Sequence, residues 1–151
     1  MKKIVFWALL AGLGGGLAEM AWVACYSTAT STSGIEVARQ VTATVIASAA
    51  AAPWAPAAGV GIHLALSLAL GLAFALALWA LFTRRTAAGH IWTAAVLLGI
   101  ALWAANFLVI LPALDSGLAR LMPLGATLLS KTLFGVAMAA ILQRGVARSP
   151  G

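Results

Sequence analysis

Four apolar stretches, each about as long as a membrane-spanning helix, constrain this chain more than any other feature. They cover residues 4–26, 60–82, 91–111 and 123–143. The composition agrees, because 64% of the 151 residues are hydrophobic and 8% are charged, whereas a soluble domain carries about 25% charged residues. The sequence therefore predicts an all-α integral membrane protein that forms a single domain, a four-helix bundle.

The basic residues predict the orientation of the four helices. In an up-and-down arrangement, most of them fall at one end of the bundle: Lys2, Lys3, Arg84, Arg85, Arg144 and Arg148. Only Arg39 and Arg120 fall in the opposite loops, and the three acidic residues all lie in that opposite half. Positively charged loops mark the cytoplasmic side, so both termini are predicted to lie in the cytoplasm of a bacterial-type inner (plasma) membrane.

The remaining chemistry of the sequence excludes several classes of protein. The net charge of +6 comes from basic residues at the ends of apolar runs. This distribution is a signal of membrane topology and does not indicate a nucleic-acid-binding surface. A single cysteine, Cys25, allows neither an internal disulfide nor a cysteine-based metal cage. His63 and His90 are predicted at opposite membrane faces, so they cannot share a haem. We therefore predict no enzyme activity, no cofactor and no metal, with the lipid bilayer as the main partner.

The first outer loop, residues 27–59, is predicted to contain an additional helix over 35–52. Ser33 followed by Glu36 is a capping box, and Pro53 stops the helix. Glu36, Arg39 and Gln40 form its polar side, so the helix is amphipathic. Two placements remain open. The helix lies on or dips re-entrantly into the outer membrane surface, with Trp54 at the interface, or it packs on the top of the bundle.

Four polar side chains fall inside the predicted spans, namely Glu19, His63, Asn106 and Lys131. Each shares a helix face with small residues, as Glu19 does with Gly15, and small residues mark the faces where membrane helices touch. All four lie in the outer half, about 5–12 Å below the outer helix ends. We therefore predict a buried cluster with a Glu19–Lys131 ion pair and Asn106 nearby, while His63 is shallow enough to meet water.

Two roles for this cluster remain open at the level of the sequence. A buried ion pair can serve only to hold helices in register, which favours a non-catalytic accessory or assembly component that associates with other membrane proteins or with itself. Ionisable residues inside a membrane are also candidates for function. The alternative is therefore a small oligomeric transporter or channel for a small solute, an ion or a proton, in which the cluster faces outward.

Five segments carry a resemblance to known proteins: GGGLAEMAWV at 14–23, VARQVT at 37–42, Ile62 with His63, Asn106 with Phe107, and LSKTLFG at 129–135. In these segments the chain resembles a widespread group of small bacterial membrane proteins of unknown function. The resemblance spans nearly the whole chain. It implies a four-helix membrane protein and assigns no active site. Some members are labelled sodium:proline symporters, although four helices are far too few for that fold.

A second resemblance is to the small multidrug resistance transporters, which have four helices and an essential glutamate in the first helix. Glu19 is similar in place to that glutamate. Those transporters lack a long outer loop and have no lysine available to pair with the glutamate. Lys131 departs from their pattern and argues against proton-coupled export.

Overall fold

The structure is a computed structural model that describes residues 2–81, 84–114 and 116–147. The described residues form helices and no strand. In chain order the helices are α1 (Lys2–Ala29), α2 (Gly34–Val45), α3 (Ala55–Leu81), α4 (Arg84–Ala104), α5 (Leu111–Ala113), α6 (Leu118–Leu121) and α7 (Leu124–Ala147). Of the charged residues used to predict orientation, Asp115, Arg148 and the side chains of Lys2, Arg84 and Arg85 lie outside the described part.

Four stretches of the described chain are long and apolar enough to cross a membrane: Lys3–Ala29, Ala55–Leu81, His90–Ala113 and Leu124–Ala147. They correspond to the four predicted spans, with differences at the ends. The second begins at Ala55 instead of residue 60, because Pro56 is accommodated in the first helical turn, where its missing N–H costs nothing. At about 1.5 Å per residue, the two longest stretches reach about 40 Å, more than the ~30 Å core of a bilayer.

The third span is not a uniform α-helix. From Ala105 to Ile110 it is a π-helix, and the N–H of Leu111 donates to the Asn106 carbonyl. Pro112 explains this irregularity, because it has no N–H to donate and its ring displaces the preceding turn. The sequence predicts that Pro112 ends the third span at residue 111. In the structure the helix extends two residues further, through Pro112 to Ala113.

Helix α1 lies at the centre of the packing. It contacts α3 on one side and α7 on the other, and α4 packs against the far side of α7. By contrast, α3 and α4 touch each other only sparingly, although they are consecutive in the chain. The buried apolar core contains residues from all four of these helices, among them Ala8, Phe74, Ile91 and Phe134.

Glycines allow the helices to approach each other backbone to backbone. A Cβ on Gly71 of α3 would lie 2.5 Å from the Gly12 Cα and 2.6 Å from the Ala8 carbonyl oxygen of α1. A Cβ on Gly135 of α7 would lie 2.5 Å from the Ala95 carbonyl oxygen of α4. Close packing of this kind is the main source of helix association in a membrane, where lipid removes the hydrophobic driving force.

The outer-loop helix is shorter than predicted. It ends at Val45, because Ile46 takes a non-helical conformation (φ −133°, ψ 84°), and residues Ala47–Ala49 form a separate 3₁₀ turn. The prediction of one helix over 35–52 is therefore wrong. Arg39 supplies the reason, because its guanidinium donates to the Ala50 and Ala52 carbonyls at 3.2 and 3.1 Å. These bonds satisfy two backbone carbonyls where the chain reverses direction. The two carbonyls therefore do not require hydrogen bonds within a longer helix.

The polar residues at the start of α2 also differ from the capping box. The Ser33 hydroxyl accepts from the Glu36 N–H at 3.4 Å, as predicted. The Glu36 carboxylate, however, turns toward the helix that follows. It lies 3.3 Å from the Arg39 Nε and accepts from the Gln40 side chain at 2.8 Å. These three polar residues therefore form a chain of contacts along one side of α2.

Helix α2 packs on the first turns of α3 and on residues 116–121. The buried Thr42 hydroxyl donates to the Ala55 carbonyl at 2.6 Å, and a Cβ on Gly59 would overlap the Ala38 carbonyl. On the other side, the hydroxyls of Thr44 and Ser116 lie 2.8 Å apart. Packing of α2 on the other helices, one of the two predicted placements, is therefore present in the structure.

Gly71 and Gly61 provide a matched test of this packing within α3. Gly71→Ala places a methyl group against the α1 backbone and should destabilise the protein by about 1–3 kcal/mol. Gly61 meets nothing within 4 Å, so Gly61→Ala should be neutral or stabilise by up to about 1 kcal/mol. Thermal unfolding of both variants in detergent measures the difference, and equal stabilities would contradict the observed α1–α3 approach.

Candidate functional site

Helices α3 and α7 bring polar side chains to one carboxylate of α1 inside the protein. Glu19 of α1 is buried, with 5% of its side chain exposed. The Lys131 Nζ of α7 lies 2.7 Å from Glu19 Oε1 and donates a hydrogen bond to Oε2 at 2.9 Å. The Ser130 hydroxyl donates to Oε1 at 3.3 Å. We call Glu19, Ser130, Lys131 and His63 of α3 the polar cluster.

The small residues of α1 position this carboxylate. On the face that carries Glu19, a Cβ on Gly15 would lie 2.7 Å from the Phe134 ring of α7, and one on Gly16 would lie 2.6 Å from the Ser67 hydroxyl of α3. Both neighbouring helices therefore approach within one turn of Glu19. Glu19, His63 and Lys131 lie about 15, 12 and 10 Å from the outer ends of their helices, so their side chains meet at one level.

His63 lies on the other side of the carboxylate from Lys131. Its Nε2 is 3.1 Å from the Gly16 carbonyl oxygen and 3.8 Å from Glu19 Oε2. A carbonyl can only accept, so Nε2 must carry the hydrogen of this bond. The distance to Glu19 exceeds a hydrogen bond, and the contact is electrostatic. His63 is therefore held by a hydrogen bond to the α1 backbone. It lies beside the ion pair, in which Lys131 is the partner of Glu19.

Asn106 does not join the polar cluster. Within the described residues, its side chain makes no hydrogen bond to Glu19, His63 or Lys131. The register of α4 against α7 explains this, because Gly99 packs on the Lys131 backbone and Asn106 lies about 10 Å further toward the outer helix end. Asn106 belongs to the π-helical segment that follows α4, and its predicted place near the ion pair stays a prediction.

Sequence reasoning missed other polar contacts, which lie between the polar cluster and the outer helix ends. The Trp22 indole donates to the Ala126 carbonyl at 2.9 Å, and the Trp103 indole donates to the Thr127 hydroxyl at 3.0 Å. Ser130 is also missing from the predicted cluster. Its spacing from Phe134 is the sequence signal that could have identified it. Ser130 lies one turn before Phe134 and so shares the face of α7 that contacts α1.

The polar cluster connects α1, α3 and α7 through the carboxylate of Glu19. The two oxygens of Glu19 are surrounded by an ammonium, a hydroxyl and an imidazole, so the carboxylate is satisfied within the chain. No group of three His, Cys, Asp or Glu in the described residues could hold a metal ion. The side chains of Lys131 and His63, however, remain 18% and 23% exposed. The cluster therefore has a buried carboxylate on one side and the partly exposed side chains of Lys131 and His63 on the other.

These features define an all-helical protein with four candidate membrane-spanning helices and a polar cluster between three of them. The chain matches no family model, no curated protein and no solved structure. The role of the polar cluster must therefore be inferred from its geometry and from its chemistry.

A charge swap tests whether the ion pair stabilises the fold. Glu19→Gln leaves the partly buried ammonium of Lys131 without its partner and should reduce stability by up to about 3–5 kcal/mol. Exchanging the two charges, Glu19→Lys with Lys131→Glu, should restore most of the loss in folded yield. Glu36→Gln removes the more exposed pair with Arg39 and should cost less than about 1 kcal/mol. Wild-type stability of Glu19→Gln in thermal unfolding would contradict a stabilising role.

Proposed function

We propose that this protein is a non-catalytic accessory or assembly component of a bacterial inner membrane, built as a four-helix bundle. The contact between Glu19 and Lys131 carries the proposal. This contact pairs the one carboxylate in the apolar span of α1 with an ammonium, and it links the first helix to the last. A satisfied pair of this kind gives a rigid framework. It provides no group poised to act as a nucleophile or as a general base.

We further propose that both termini lie in the cytoplasm. Trp7 packs on Gly145, and Trp22 bonds to Ala126, so α1 and α7 run antiparallel. Lys3, near the start of α1, and Arg144, near the end of α7, therefore lie at the same end. An excess of Lys and Arg at one end marks the cytoplasmic side, which supports this orientation.

In this orientation, α2 lies at the outer surface of the membrane and does not insert as a separate re-entrant helix. Its contacts with α3 hold it against the bundle, and four large apolar side chains around it remain exposed: Ile35, Val45, Ile46 and Trp54. An amphipathic helix with such residues beside a tryptophan is typical of the interface between lipid and water. These side chains therefore face the outer leaflet of the membrane.

The exposed side of α3 supports a role in assembly. Small residues recur there at every fourth position, and all are exposed: Gly61, Ala65, Ala69, Ala73 and Ala77. The exposed side of α4 instead carries bulky residues, including Trp92, Leu97 and Ile100. Small residues let the backbones of two membrane helices approach closely. The partner on α3 is another membrane protein or a second copy of this chain.

Assembly can be tested on α3 with a control on the third span. Ala65→Leu combined with Ala69→Leu should enlarge the exposed side of α3 and block a close helix contact. Ala101→Leu with Ala105→Leu changes two exposed alanines of the third span at the same spacing. Native gel electrophoresis of mildly solubilised membranes should show a complex that the α3 changes disrupt and the third-span changes preserve. A single chain in every sample would contradict an assembly role.

The alternative function is a small oligomeric transporter or channel for a small solute, an ion or a proton. The observation that favours it is the partial exposure of Lys131 and His63 beside a buried carboxylate. If Glu19 serves transport, Glu19→Gln should fold normally and should abolish proton-dependent uptake or export in vesicles. A loss of folded protein that the charge swap restores would instead favour the accessory role.

A further inference from the structure

A shallow groove lies between α3, α4 and α7 at the end of the bundle where α1 begins and α7 ends. Six side chains line it: Ala75, Leu78, Trp79, Ile91, Leu142 and Val146. The sparse contact between α3 and α4 leaves this space. We call it the Trp79 groove. At about 1.5 Å per residue, it extends from the end of α3 to Ala75, about 9 Å further into the bundle.

Trp79 brings one polar group to this apolar lining. Its side chain is half-buried, and its indole N–H donates to no described residue, whereas the indoles of Trp22 and Trp103 donate to acceptors within the chain. Trp79 lies two residues before the end of α3, about 3 Å from that helix end. A tryptophan near the end of a spanning helix typically places its N–H at the level of the lipid headgroups. The groove therefore has an apolar floor and, at its mouth, a donor that the described chain does not use.

The same end of the bundle carries cations without counter-charges. Lys3 and Arg144 are exposed, and neither forms an ion pair within the described part of the chain. Arg144 lies two residues from each of the groove residues Leu142 and Val146. The sequence places further cations at this end, namely Lys2, Arg84, Arg85 and Arg148, and its three acidic residues all lie in the opposite half. The charge at this end therefore favours an anionic ligand.

The charge also argues against a second copy of this chain as the occupant of the groove. A second copy in the same membrane orientation would bring its own Lys3 and Arg144 to these cations. Like charges repel each other, and the sequence places no acidic side chain at this end to offset them. A phospholipid instead supplies an apolar chain for the groove and a negative phosphate at the level of the helix ends.

We propose that the Trp79 groove binds one anionic phospholipid. An acyl chain lies along the apolar lining, the Trp79 N–H donates to an oxygen of the lipid ester or phosphate, and the cations at the helix ends attract the headgroup. A zwitterionic lipid has the same chains and the same phosphate, but its own ammonium cancels the charge that the protein meets. The lipid site does not depend on the assembly role, and each can fail without the other.

Native mass spectrometry of the full chain tests the proposal. The protein is held in micelles that contain equal amounts of phosphatidylglycerol and phosphatidylcholine, and the lipids that remain bound after release from the detergent are counted. We expect one phosphatidylglycerol per chain, retained in preference to phosphatidylcholine by at least about fivefold, which is the effect of one cation near a charged headgroup. The proposal is overturned if the two lipids are retained equally, or if phosphatidylglycerol binding does not saturate at one per chain.

Two pairs of variants locate the site. Arg144→Gln should weaken the retention of phosphatidylglycerol by up to about fivefold, whereas Arg120→Gln, which removes the same charge from an exposed position at the opposite end, should not. Trp79→Phe keeps an aromatic ring, removes the N–H and should weaken retention by about two- to tenfold. Trp92→Phe, on the exposed side of α4, should match the wild type. Unchanged retention in Trp79→Phe would overturn the groove as the binding site, and equal effects of Arg144→Gln and Arg120→Gln would overturn the role of the cations at this end.

Discussion

A carboxylate in the apolar span of α1 sets the main constraint on this structure. The cost of an unpaired charge in a membrane is several kcal/mol, so Glu19 requires a cation at its own depth. Lys131 meets this requirement from α7, and the two residues are separated by most of the chain. The ion pair therefore determines the register of the first helix against the last, and Ser130 and His63 occupy the positions that this register leaves beside the carboxylate.

Glycines make this arrangement sterically possible. Gly15 and Gly16 let α7 and α3 approach α1 beside Glu19, and Gly135 brings α4 onto α7. At each of these contacts the backbone at a glycine lies directly against a neighbouring helix. The helices are therefore close enough for one lysine side chain to reach the carboxylate. Charge pairing and close packing thus support each other. A substitution that disturbs the packing should therefore also weaken the ion pair, and the reverse, because the packed glycines and the charged residues are neighbours on the same helices.

Much of the architecture follows from the sequence, because apolar length and charge position are local signals. The four spans and the contact between Glu19 and Lys131 could be predicted in this way. Asn106 could not be placed, because its distance from the cluster depends on the register of α4 and on the π-helix before Pro112, which are tertiary effects. The end of α2 at Val45 also escaped prediction, since it depends on hydrogen bonds from Arg39 across the chain reversal.

The polar cluster combines a buried carboxylate with the partly exposed side chains of Lys131 and His63. The proposed role depends above all on the direct ion pair between Glu19 and Lys131. Solid-state NMR of the full chain in lipid, with the Glu19 carboxyl carbon labelled with ¹³C and the Lys131 amine with ¹⁵N, measures their separation. The account predicts a distance below about 4 Å. A distance above about 6 Å would contradict it, because the charges would then no longer be in direct contact.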